Sequence, residues 1–250
     1  MFVFGETIDL AILFLITAVL YASVGQAGAT GYLAAMGLVG AAPEVMKPTA
    51  LALNIVVALI GTVQFWRAGQ FSWRTFYPFG VLGIPFSLVG GAFNMPRHFY
   101  LPVIGVILLL AAVQTARSAR RRHQIGGSHP KAPPFMPALF TGAVIGFVSG
   151  MTGTGGGIFL APVILMMNWV EPRRAAAVTA AYNLLNSVAA LAGAYATLGA
   201  LPRALPWWLA VAAVGGAIGA TFGSRVLPER ALRLVLAGIL AVSGLKLLFS

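Results

Sequence analysis

Apolar residues fall into long blocks broken by short polar stretches. The blocks cover about 8–40, 45–66, 76–94 and 98–117, then 136–168, 173–197, 206–224 and 229–249. Most are long enough for a helix to cross roughly 30 Å of hydrocarbon. Between the two sets, 118–134 is polar, with Arg120, Arg121, Arg122, two His, three Pro and two Gly. That composition predicts a surface linker. Two blocks, 8–40 and 136–168, are longer than the rest and are broken by glycine-rich runs at 25–31 and 150–157.

The two sets read as copies. Gly25, Gly28 and Gly31 match Gly150, Gly153 and Gly156 at an offset of 125. Thr49 and Gly69 match Thr179 and Gly199 at 130, and Gly83, Gly91 and Pro96 match Gly215, Gly223 and Pro228 at 132. The offset changes only between blocks, as in an internal repeat. Residues 1–117 form the first repeat, 118–135 a basic linker and 136–250 the second repeat.

Charge then chooses a topology. If both broken blocks crossed the membrane, the Lys and Arg would divide 9 to 7 between its faces. If both are re-entrant hairpins, Lys47, Arg97, Arg203 and Lys246 share a face with the N-terminus and the other 12 lie opposite. The second division follows the positive-inside rule. As a straight helix each broken block would be roughly 50 Å long, whereas as a hairpin each arm is about 24 Å. The expectation is an all-α integral membrane protein of two inverted repeats, each a glycine-tipped re-entrant (broken) helical hairpin plus three transmembrane helices. Both termini then lie outside and the linker is cytoplasmic. The N-terminal residues carry Glu6 and Asp9 and no basic residue before the first block, so it is not a signal peptide.

Composition narrows the function. The chain is 59% hydrophobic and 8% charged, against about 25% charged in a soluble domain. The net charge of +11 sits in loops, so it reads as topology and not as a nucleic-acid surface. With no cysteine there are no disulfides or thiolate metal sites. His98, His123 and His129 fall in loops without metal-ligand spacing, and no metal or cofactor is expected. Glu6, Asp9, Glu44, Glu171 and Glu229 all lie at block ends, so no mid-membrane carboxylate offers a proton relay. No phosphate-binding loop or nucleophile–base pair appears, which argues against an enzyme.

The chemistry that remains is at the glycine breaks. Two hairpins entering from opposite faces bring their tips together near the midplane, where inverted-repeat transporters bind substrate. Each returning helix would start there with free N–H groups and a positive dipole end, which suits an anion. The candidate substrate-binding residues are Gly25, Gln26, Gly28 and Thr30 at one tip and Gly153, Thr154, Gly155 and Gly156 at the other, with Thr152 as a further donor. Small residues at helix contacts would look the same. Asn54 and Asn183 lie about 13 and 15 Å into the membrane on equivalent helices. Asn186 shares a face with Asn183. These amides need either substrate or another helix as partner. Thr49 and Thr179 are expected to cap or back-bond a helix start, or else to line a pore. Trp66, Trp73, Trp169, Trp207 and Trp208 read as interfacial anchors. The small-residue stretch 215–220 would pack helices within the chain or between the subunits of a homo-oligomer.

The runs 25–31 and 150–157, with the stretch from Pro43 and Glu44 to Thr49 and the stretch from Arg173 and Arg174 through Thr179 to Asn183, resemble the TauE/SafE family of sulfite exporters. The resemblance spans nearly the whole chain. It implies a bacterial cytoplasmic-membrane transporter for sulfite or organosulfonates, with no bound cofactor and with membrane lipid as its surroundings. Membrane-potential-driven export is the expected mechanism. A carrier or importer of another small organic anion, and a non-transporting membrane scaffold, are the alternatives.

Overall fold

The computed structural model describes residues 4–23, 26–120, 132–194, 201–226 and 229–249. Gly25, Gly199, Pro228, His123, His129 and most of the linker lie outside the described residues. Among those described, all regular structure is helical: α1 (Phe4–Ser23), α2 (Ala29–Leu38), α3 (Pro43–Arg67), α4 (Trp73–Ala92), α5 (Arg97–Arg120), α6 (Phe135–Thr152), α7 (Gly157–Met166), α8 (Pro172–Gly193), α9 (Leu205–Val226) and α10 (Glu229–Leu248). Five of them, α3, α4, α5, α6 and α8, are long and apolar enough to cross a membrane. Apolar side chains also face outward at near-helical spacing, as Ile8, Ile12 and Ile16 do on α1 and Val106, Leu110 and Val113 on α5. A helix apolar on all sides belongs in lipid. The molecule is a multi-pass helical membrane protein.

Both long blocks break at their glycines and fold back. Phe14 meets Tyr32 edge-on at 5.6 Å, and Gly31 lies against Thr17 and Tyr21, so α2 returns along α1. In the second copy Trp169, just past α7, stacks near Phe79 at 5.9 Å, and Phe79 also faces Gly142 early in α6. The arms are unequal, 20 and 10 residues in the first copy and 18 and 10 in the second. This corrects the equal arms expected from the sequence. Each return helix is followed by a turn with a positive-φ residue, Gly40 in the first copy and Asn168 in the second.

The copies pack by exchange. α6 lies along α4, and its counterpart α1 lies along α9. Gly142, Gly146 and Gly150 face the backbone of Phe79, Gly83 and Ser87, while Gly215 and Gly219 face that of Leu15 and Val19. Both pairs therefore run parallel. The stretch 215–220 is used inside the chain, against α1 and against Val57 of α3. α4 and α8 are also parallel, with Gly83 at Tyr182, Ser87 at Asn186 and Gly91 at Ala190. α5 and α10 run antiparallel, since Gly105 meets Leu248 and Gly244 meets Leu109.

The tryptophans divide. Trp66, Trp73 and Trp207 are exposed at helix ends, as interfacial anchors should be. Trp208 is instead fully buried, edge-on to Phe14, and its indole N–H donates to Thr7 O at 3.1 Å. His98 sits in the first turn of α5, not in a loop.

Candidate functional site

The two breaks and two long helices meet around Asn54. Its Oδ1 accepts the N–H of Ala29, the first residue of α2, at 3.0 Å. Its Nδ2 donates to Asn183 Oδ1 at 3.0 Å and to Ser187 Oγ at 2.8 Å. Asn54, Asn183 and Ser187 are all buried. An unpaired amide at this depth would be costly, and each partner answers that cost. The two asparagines, one from each copy, thus pair with each other. Asn183 Nδ2 is left with only a 3.5 Å approach to Asn54 Oδ1.

Gly155 fits against this pair because it has no side chain. A Cβ there would overlap Asn183 Oδ1 and Asn54 Nδ2, and its φ of 73° lies in the left-handed region. Gly153 is pressed on Lys47 and Gly156 on Tyr182, Ser149 and Asn186. These three glycines are packed backbone, not cavity lining.

A cavity of about 530 Å³ begins at this cluster. Gln26, Gly28 and Thr30 line it from the first break; Thr154, Gly157 and Ile158 from the second; Thr179 and Asn183 from α8. It extends along α3 past Val57, Gly61 and Gln64 to Ala68, at the exposed end of that helix. Its walls are mostly apolar, and among its described lining residues there is no Asp, Glu, His, Lys or Arg. Ligand sites often combine apolar walls with a few convergent polar groups.

The donors available differ from those expected. At the α2 N-terminus the first N–H, that of Ala29, is taken by Asn54. Thr30 Oγ1 is bonded to Tyr21 OH at 2.9 Å, and Thr154 Oγ1 to Thr152 Oγ1 at 3.0 Å. The α7 N-terminus is open: Gly156, its cap residue, has no side chain, and Gly157 and Ile158 line the cavity. Thr49 and Thr179 neither cap nor back-bond. Both hydroxyls are buried without a partner, well inside their helices, and Thr179 stands in the cavity wall. Asn186 is not among the cavity-lining residues; its buried amide lies against Gly156. Gly25 lies outside the described residues.

Sequence reasoning missed Ser187 and Lys47. Ser187 is one turn beyond Asn183 and so shares its face, a readable signal. Lys47 is 5% exposed and reaches the carbonyls of Gly91 and Phe93, yet in the sequence it counted only as a loop charge.

No solved structure matches the chain. A probable membrane transporter protein of Sinorhizobium fredii is 57% identical over 98% of this chain and 99% of its own length. A probable membrane transporter protein of Methanocaldococcus jannaschii is 24% identical over 80% of this chain and 77% of its own. The family model described as Sulfite exporter TauE/SafE matches residues 10–247. A match of that span, with a relative of that identity, means that the chain belongs to the TauE/SafE sulfite exporter family.

Proposed function

We propose that the chain is a carrier that exports sulfite or related small sulfur-containing anions, such as organosulfonates, across the bacterial cytoplasmic membrane. The observation that carries this reading is the cavity ending at Asn183 Nδ2, the unpaired Thr179 hydroxyl and the uncapped start of α7. These are neutral donors and a positive dipole end around one space, which favour a small anion. At about 30 Å³ per water, the cavity holds such an ion with part of its hydration shell.

Helix polarity supports the inverted topology. With both broken blocks re-entrant, each half crosses three times. That makes α4 and α8 parallel and α5 and α10 antiparallel, as their contacts run. With both blocks spanning, each of these relations would reverse. In the inverted topology the cavity mouth near Ala68, beside Arg67 and Arg74, faces the cytoplasm.

No carboxylate lines the cavity, so the reading assigns the driving force to the membrane potential. An inside-negative potential expels an anion with about 2.3 kcal/mol per charge per 100 mV. The test is sulfite efflux from proteoliposomes under an imposed potential, with organosulfonates and carboxylates as competitors. Asn183→Ala should fold and slow efflux about tenfold, the worth of one hydrogen bond to a charged ligand. Efflux that ignores the potential and follows only a pH gradient would rule out uniport. A competitor that displaces sulfite outright would reassign the substrate.

A further inference from the structure

At the end away from Ala68 the cavity lining stops at Thr154 and Asn183, and the side chain beyond, against Gly153, is Lys47. Along an ideal helix seven residues advance about 10 Å and return to within about 20° of the same face. Ala68, just past the end of α3, and Gly61, Asn54 and Lys47 within it are spaced by seven, so they follow one side of the helix with a drift of about 60° in all. The first two line the cavity, and Asn54 stands where it ends. Lys47 continues the line.

Lys47 is a buried cation whose partners are only backbone. Its Nζ donates to Gly91 O at 2.6 Å and to Phe93 O at 2.9 Å, the carbonyls that close α4. An ammonium has three donors, so one remains. Among the described residues no carboxylate forms an ion pair with it. Its stem rests on Gly153, with 3.2 Å between Lys47 Cγ and the place where a Gly153 Cβ would be. The next residue, Thr154, lines the cavity. A single turn of the second break therefore separates this cation from the space assigned to the anion. The equivalent position in the other copy, at the offset of Thr49 and Thr179, is Ala177, so the charge marks one end of the path.

We propose that Lys47 is a second anion-binding station, on the face of the membrane where α3 begins. In the present arrangement its ammonium is held by the Gly91 and Phe93 carbonyls and the station is shut. When this end opens, the ammonium exchanges those carbonyls for the departing anion. This rests on the anion-carrier reading above. A residue that merely capped α4 would serve as well with a neutral donor.

The test measures sulfite exchange in right-side-out and inverted vesicles carrying the full chain. Lys47→Gln keeps a donor for the carbonyls but loses the charge; Lys47→Arg keeps both. Lys47→Gln should raise KM about tenfold from the face where α3 begins and leave KM from the cavity-mouth face nearly unchanged, while Lys47→Arg stays near wild type. Unchanged KM from both faces, or an equal rise from both, would overturn the station and leave anion transport standing. Wild-type vesicles that exchange no sulfite, organosulfonate or carboxylate would overturn both readings. A second measurement needs no variant. The chain has three lysines, Lys47, Lys131 and Lys246. Methanesulfonate should slow acetylation of Lys47 by an amine-reactive ester, read by mass spectrometry, and spare the other two. Equal rates with and without methanesulfonate would also overturn the station.

Discussion

An amide in hydrocarbon has no water to turn to, so Asn54 must find its partners within the protein. It serves Ala29 N–H, Asn183 Oδ1 and Ser187 Oγ at once. Asn54→Ala strands all three, whereas Ser187→Ala strands one donor. Each stranded buried group costs about 1–3 kcal/mol. Thermal unfolding in detergent, followed by tryptophan fluorescence, should show a clearly larger fall in Tm for Asn54→Ala than for Ser187→Ala. Similar falls would mean that the amide cluster is not the keystone of the two breaks. The asparagines were legible in the sequence because depth alone makes an amide conspicuous. Lys47 was not, because a lysine four residues into a helix looks like any interfacial charge; only the fold brings the α4 carbonyls to it. Thr30 is a case where the sequence hid a partner. It does lie at the break, but Tyr21, nine residues earlier, already holds its hydroxyl.

Among the helices, glycine has two separate uses. On α6, Gly142, Gly146 and Gly150 let backbone touch the backbone of α4. Gly146→Leu should force these helices apart and abolish a folded, extractable protein. Gly238→Ala in α10, where an added Cβ meets nothing, should hold or slightly raise Tm, in line with the poor helix propensity of glycine. Gly61 is the second kind. A Cβ there also meets nothing, yet the residue lines the cavity. Gly61→Leu should therefore fold normally and block transport, seen as intact size-exclusion behaviour with lost efflux. A misfolded variant would contradict the cavity's assignment as open space. The sequence pattern located these helices to within a few residues, because apolar blocks and their polar interruptions set the ends. It could not tell a packing glycine from a lining one, since that depends on which neighbour lies opposite.

At the scale of the molecule, the helical membrane class and the two break points were legible, whereas the lengths of the arms on either side of each break were not. The inverted topology makes a labelling prediction, for which a chain without cysteine is convenient. Met166→Cys and Gln70→Cys should react with an impermeant thiol reagent from the same side of the membrane. Reaction from opposite sides would mean that the second broken block spans. The packing by exchange carries a last consequence. Each hairpin's long arm is clasped by a helix of the opposite copy, α1 by α9 and α6 by α4. A motion of one sequence half against the other would therefore tear both clasps. If the chain were cut in the linker, each fragment would leave the long arm of its own hairpin without its main packing partner. The two fragments would have to be made together, and would regain function only by threading into one another.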